Sequence, residues 1–164
     1  VIQPDFTALF FDTFGNASQP IRYELRQPPM LLHDLSFLSS LIHDARLKPA
    51  EICRSRGCIE LPLNRDCWER GFTDTASGSE LHAAATVLTV RSSGELHWLA
   101  QPDRDEIWLD YLWVSETYRQ TGGDRFELIV QFSGSPRLTI GLADDWSVIL
   151  QDREMPYLWS QRYC

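Results

Sequence analysis

Residues 126–142, Phe126-Glu127-Leu128-Ile129-Val130-Gln131-Phe132-Ser133-Gly134-Ser135-Pro136-Arg137-Leu138-Thr139-Ile140-Gly141-Leu142, read as two strands and the turn between them. Phe126, Leu128, Val130 and Phe132 recur at every second position. Gly134-Ser135-Pro136 interrupts the pattern, and Leu138, Ile140 and Leu142 resume it. A period of two lines one face of a strand, and so short a turn requires an antiparallel partner.

The same texture extends in both directions. Downstream, Trp146, Val148 and Leu150 predict one more strand after Asp144-Asp145. Upstream, Ile107-Trp108-Leu109-Asp110-Tyr111-Leu112-Trp113-Val114 is apolar on both faces apart from Asp110, which predicts a central strand. Strict alternation puts Trp108, Asp110 and Leu112 on one face, with Leu109, Tyr111 and Trp113 on the other. Strands near 81–91 and 95–100 flank Ser92-Ser93-Gly94, a hairpin signal. Ile59, Leu61 and Leu63 alternate with polar residues before Asn64-Arg65-Asp66, which reads as a turn, and residues 71–79 read as a loop. Ile21–Arg26 alternates apolar and charged residues, and Pro28-Pro29 ends it. Residues 6–14 form an apolar run before Gly15-Asn16 and read as a buried strand.

One amphipathic helix is expected, over about 31–46. At 100° per residue, Leu31, Leu35, Leu38, Ile42 and Ala45 share a face, and Phe37 widens it. Pro49 stops the helix because the residue before a proline is pushed out of helical geometry. The expectation is an α+β fold: a largely antiparallel curved sheet or sandwich of about eight to ten short strands with that helix, in a single domain over 1–164.

Composition narrows the function. The 164 residues carry a net charge of −8, and residues 71–164 supply most of it, with seven arginines against fourteen acids. Nucleic-acid binding needs cations to displace the phosphates' counterions, so no nucleic acid is expected as a partner. The basic residues of 46–70 (Arg46, Lys48, Arg54, Arg56, Arg65, Arg70) are interspersed with four acids and read as a solvated face. No apolar run approaches the roughly 20 residues of a spanning helix, so no membrane is expected. Cys53, Cys58 and Cys67 are spaced C-x4-C-x8-C and lack the second close pair of a zinc knuckle. No metal or cofactor is expected, and the thiols read as reduced and structural in a cytoplasmic protein.

Two short motifs invite a chemical reading. His33-Asp34 and His43-Asp44 match the dipeptide of some metal-dependent phosphohydrolases, but ten helical residues place the two histidines about 15 Å apart. One ion cannot bridge them. Ala8-Leu9-Phe10-Phe11-Asp12-Thr13-Phe14-Gly15 resembles the first motif of haloacid dehalogenase-type hydrolases. That resemblance implies an apolar strand delivering Asp12 as a nucleophile, with Lys48 as the lysine and Asp144-Asp145 as the later acidic pair. It also implies a doubly wound body, whereas the chain after residue 58 reads as a meander, and Asn16 stands where that family usually has threonine.

The favoured expectation is a non-enzymatic binding or regulatory domain whose acidic surface engages a basic protein partner. In size and charge it is similar to small bacterial immunity proteins that neutralise a toxin. The alternatives are the hydrolase using Asp12, and a carbohydrate-binding sheet centred on Trp108 with Asp110 beside it. No G-x-S-x-G elbow, phosphate loop or calcium loop is present.

Overall fold

The computed structural model describes residues 10, 13, 19–26, 32–70, 72–76, 78–92, 94–116, 126–142 and 146–162. In chain order the elements are β1 (Arg22–Arg26), α1 (Leu32–Ile42), β2 (Arg46–Leu47), β3 (Cys53–Ser55), β4 (Cys58–Asp66), β5 (Phe72–Thr75) and β6 (Gly78–Arg91). They continue with β7 (Leu96–Ala100), β8 (Ile107–Glu116), β9 (Phe126–Phe132), β10 (Arg137–Leu142), β11 (Ser147–Asp152) and β12 (Tyr157–Arg162). Short 3-10 turns lie at Pro49–Glu51 and Trp68–Arg70. The fold is α+β, a mostly antiparallel sheet with α1 packed on β8.

The strands form one 12-stranded sheet in the order β1-β11-β6-β4-β2-β8-β9-β10-β7, with β12 and β5 attached to β6 and β3 to β4. The twelve strands among the described residues exceed the expected eight to ten, because the short β2, β3 and β5 and the terminal β12 carry little periodicity of their own. The 126–142 hairpin forms as expected, Val130 opposite Leu138 and Leu128 opposite Ile140.

The expected pairing of 81–91 with 95–100 does not occur. β6 pairs with β11, β12, β4 and β5, and β7 pairs with β10 on the far edge. Leu96 follows Arg91 by only five positions, a reach of about 17 Å. Six ladder steps separate β6 from β7 in the sheet, about 29 Å at roughly 4.8 Å each. The sheet therefore curls, and its two halves cover one core. The connection is held by Ser92 Oγ donating to Gly141 O at 2.9 Å. Gly94 lies so close to the Gly141 backbone that no Cβ would fit there. A turn signal that looked like a hairpin is a crossing between the two halves.

Core residues come from every layer. Ile59, Leu61 and Leu63 of β4 meet Leu88 and Val90 of β6 and Val148 and Leu150 of β11. Leu109, Leu112, Leu128, Val130, Phe132, Leu138 and Ile140 supply the other half. Leu35, Leu38, Leu41 and Ile42 of α1 fill the space between, each contributing about 1.5–3 kcal/mol by burial. Phe37 is buried too and meets Tyr23 edge-on, ring centroids 5.1 Å apart, so it widens the helix face as expected.

The helix is shorter than the expected 31–46. It ends at Ile42, and Asp44 takes a left-handed φ of 63°. Asp44 N then donates to Leu109 O and Leu109 N to Ala45 O, both at 2.8 Å, so the chain leaves helical geometry to pair with β8. Residues 64–66 also differ from the expected turn. They continue β4, which places Arg65 on the core face in line with Ile59, Leu61 and Leu63. The 71–79 loop likewise contains β5 and the start of β6. In residues 6–14, expected as a strand, the two described positions Phe10 and Thr13 are helical.

Arg65 is fully buried, and its partner is Asp152 at the end of β11. Arg65 Nε and Nη2 each donate to one oxygen of that carboxylate at 2.9 Å. Thr86 Oγ1 donates to Oδ1 at 2.6 Å and Ile21 N to Oδ2 at 3.1 Å. Removing one member of such a pair strands a buried charge, so Asp152→Ala should cost about 3–5 kcal/mol. Urea unfolding would read this, and Arg65→Met with Asp152→Leu should recover most of the loss. A midpoint unchanged by Asp152→Ala would show that the pair is not structural.

Candidate binding face at the β8 bulge

β8 does not keep strict alternation. Leu109 lies opposite Phe132 and Tyr111 opposite Gln131, leaving Asp110 as an extra residue in a β-bulge. The side-chain faces switch there. Ile107, Leu109 and Leu112 are buried, while Trp108 is 39% and Tyr111 49% exposed. The expected grouping of Trp108, Asp110 and Leu112 on one face is therefore wrong, because a single inserted residue resets the period. Trp108 and Tyr111 share the outside instead.

The bulge lies where β8 loses a strand neighbour. β2 covers only Ile107 and Trp108 on that edge. Beyond it, α1 takes over, with Ser39 Oγ accepting a hydrogen bond from Leu112 N at 3.2 Å. Side chains at the C-terminal end of α1 are thereby brought against the bulge.

Asp110 lines one hollow and is tied through Ser133 to the wall of a second. One of about 420 Å³ is lined by Ser39, Ser40, His43, Trp68, Asp110 and Tyr111. The other, about 470 Å³, runs past Asp103, Arg104, Glu106, Trp108 and Ser133. Ser133 Oγ donates to Asp110 Oδ1 at 2.6 Å, so the turn of the 126–142 hairpin orients the carboxylate. Trp68, 36% exposed, donates its indole N–H to His43 O at 3.2 Å. Farther along the same face Tyr111 stacks on Trp113, centroids 5.2 Å apart, and the Arg137 guanidinium lies 5.7 Å from the Trp113 ring centroid.

The surrounding charge is acidic. Residues 103–110 hold four carboxylates (Asp103, Asp105, Glu106, Asp110) and one cation, Arg104. Several of the basic residues expected on a solvated face are engaged elsewhere: Arg65 with Asp152, Arg46 with Asp66 at 3.5 Å, and Lys48 with Glu51 at 3.6 Å. The solvated reading fails for Arg65 because a completely buried carboxylate compensates its charge.

Of the other sequence candidates, His43 Nδ1 and Asp44 Oδ2 lie 2.9 Å apart on the turn after α1. The side chains of His33 and Asp34 lie outside the described residues, as do Asp12, Asn16 and Asp144-Asp145. Cys53, Cys58 and Cys67 are free thiols, and no three His, Cys, Asp or Glu side chains among the described residues group as a metal site. No helix among them is long and apolar enough to cross a membrane. Trp68 and His43 were missed as members of the site. An exposed tryptophan beside a short turn carries no sequence periodicity that would reveal it.

Asp66, behind this face, is nearly buried. Burial pushes its carboxyl above the ordinary aspartate range and Asp44 pushes the same way, while Arg46 and Arg65 oppose them. The folded state thus holds the Asp66 proton more tightly than the unfolded chain does. Its contribution to stability is present at low pH and is lost as pH rises from about 3.9 through the raised folded value. Asp66→Asn should flatten that decline in urea midpoints measured across the window, and an unchanged slope would contradict the assignment.

Comparison with protein-family models, curated proteins and solved structures gave no match.

Proposed function

We propose that the protein is a binding domain, non-enzymatic, whose acidic outer face at the β8 bulge engages a basic protein partner. The observation that carries this reading is the grouping of exposed Tyr111 and Trp68 with Asp110 in one hollow, and of exposed Trp108 in the hollow that Ser133 also lines. Tryptophan and tyrosine dominate the energetic centres of protein interfaces, since they bury large areas at little entropic cost. Neighbouring carboxylates speed encounter with a cationic surface and disfavour an anionic one. A serine nucleophile is not supported: Ser40 Oγ donates to Ser36 O at 2.8 Å and Ser39 Oγ receives Leu112 N, so neither hydroxyl bonds to His43.

Immobilised polyarginine provides a partner-independent test. Retention should fall as salt rises and the Debye length shrinks from about 30 Å at 0.01 M to about 10 Å at 0.1 M. Trp108→Ala leaves the charge at −8 and should weaken retention at least about fivefold. Equal retention of the two proteins would assign binding to diffuse acidity and remove this face from it.

A second reading keeps Trp108 as a stacking platform for a saccharide, favoured by the open hollow of about 470 Å³ beside its ring. Its mark would be a tryptophan fluorescence shift with one member of a saccharide panel that Trp108→Ala abolishes. Silence across the panel ends it.

A further inference from the structure

The hollow between α1 and the bulge gathers several acceptors, beside the Ser39 and Tyr111 hydroxyls that can donate as well as accept. Ser40 Oγ spends its hydrogen on Ser36 O at 2.8 Å and offers lone pairs only. His43 Nδ1 faces the Asp44 carboxylate at 2.9 Å. In the neutral ring that nitrogen carries the proton, which leaves Nε2 as an acceptor. Asp110 Oδ1 receives Ser133, and Oδ2 has no hydrogen bond among the described residues. Around these acceptors stand the exposed rings of Trp68 and Tyr111.

A ligand matched to these acceptors is rich in donors, positively charged and flat enough to lie against an aromatic ring. Among side chains arginine meets these three conditions most fully, with five N–H donors in a planar fork and weaker hydration than an ammonium. The same face already displays this chemistry internally, where Arg137 lies over Trp113 and donates from Nε to Gln131 Oε1 at 2.8 Å. A volume of about 420 Å³ leaves room for a guanidinium and part of its stem.

We propose that this hollow is an arginine socket, in which Asp110 Oδ2 pairs with the guanidinium of a basic partner while Trp68 and Tyr111 flank its plane. The proposal rests on the basic-partner reading and specifies the side chain that the partner must present. It assigns Asp110 recognition of charge, Tyr111 and Trp68 recognition of planarity, and Ser40 and His43 the remaining donors.

The test is an NMR titration of the indole N–H signals, with the Trp68 signal identified by its loss in Trp68→Phe. N-acetylarginine amide should move that signal saturably. N-acetylcitrulline amide, similar in shape but uncharged, and N-acetyllysine amide should each bind at least about tenfold more weakly. Asp110→Asn, at a half-buried position, should retain the wild-type urea midpoint and lose affinity for the arginine amide by about tenfold or more. An equal response to citrulline, tighter binding of lysine, or an affinity untouched by Asp110→Asn would each overturn the socket. The two readings fail separately. Retention on polyarginine that depends on Trp108 without any Trp68 shift removes the socket and keeps the face. A Trp68 shift with retention indifferent to Trp108→Ala does the reverse.

Discussion

The buried pair of Arg65 and Asp152 constrains the rest of the molecule. Neither side chain reaches solvent, so the cost of removing two ions from water is met by direct pairing and by the other donors around the carboxylate. Those donors come from different elements: Arg65 from β4, Thr86 from β6, and Ile21 N from the approach to β1. All must arrive in one register. A slip of one residue in β4 would turn Arg65 outward and expose Leu61 and Leu63 with it, so the pair acts as a lock on strand alignment.

With β4 and β6 aligned, the remaining geometry follows from chain length. The short crossing from β6 to β7 forces the sheet to curl, and the close approach of Gly94 to Gly141 marks where its halves meet. The curl encloses α1, whose apolar stripe fills the core while its C-terminal end supplies hydrogen bonds to the unpaired edge of β8. That edge carries the bulge, and the bulge turns Tyr111 outward beside Trp68 and Asp110. The proposed binding face is thus a consequence of how the fold satisfies one strand edge, and its acidity comes from the same sheet-rich part of the chain that holds most of the negative charge.

Much of the architecture was legible in the residues. Period-two runs such as Phe126–Phe132 and Leu138–Leu142 identified strands because a half-buried sheet must segregate its side chains. Leu35, Leu38 and Ile42 identified the helix by the same logic at a different period. Asn64-Arg65-Asp66 misled, since a polar triplet resembles a turn when its buried partner lies 87 positions away. Ser92-Ser93-Gly94 misled because the same small residues suit a hairpin and a close crossing. Trp108 and Asp110 were recognisable as candidates by type, but their grouping was not.

By itself, then, the sequence determined the α+β class, the predominance of antiparallel strands, the helix and its inward face, and a net acidic character. Local periodicity and charge suffice for these, since each depends on neighbours a few residues apart. Only the tertiary structure decided the sheet order, the outward turn of Tyr111, and the meeting of His43, Trp68 and Asp110 around one hollow. Those depend on long-range pairings. An inserted residue in β8 changes the face of everything after it, and whether it bulges is determined by the opposing strand rather than by the inserted residue.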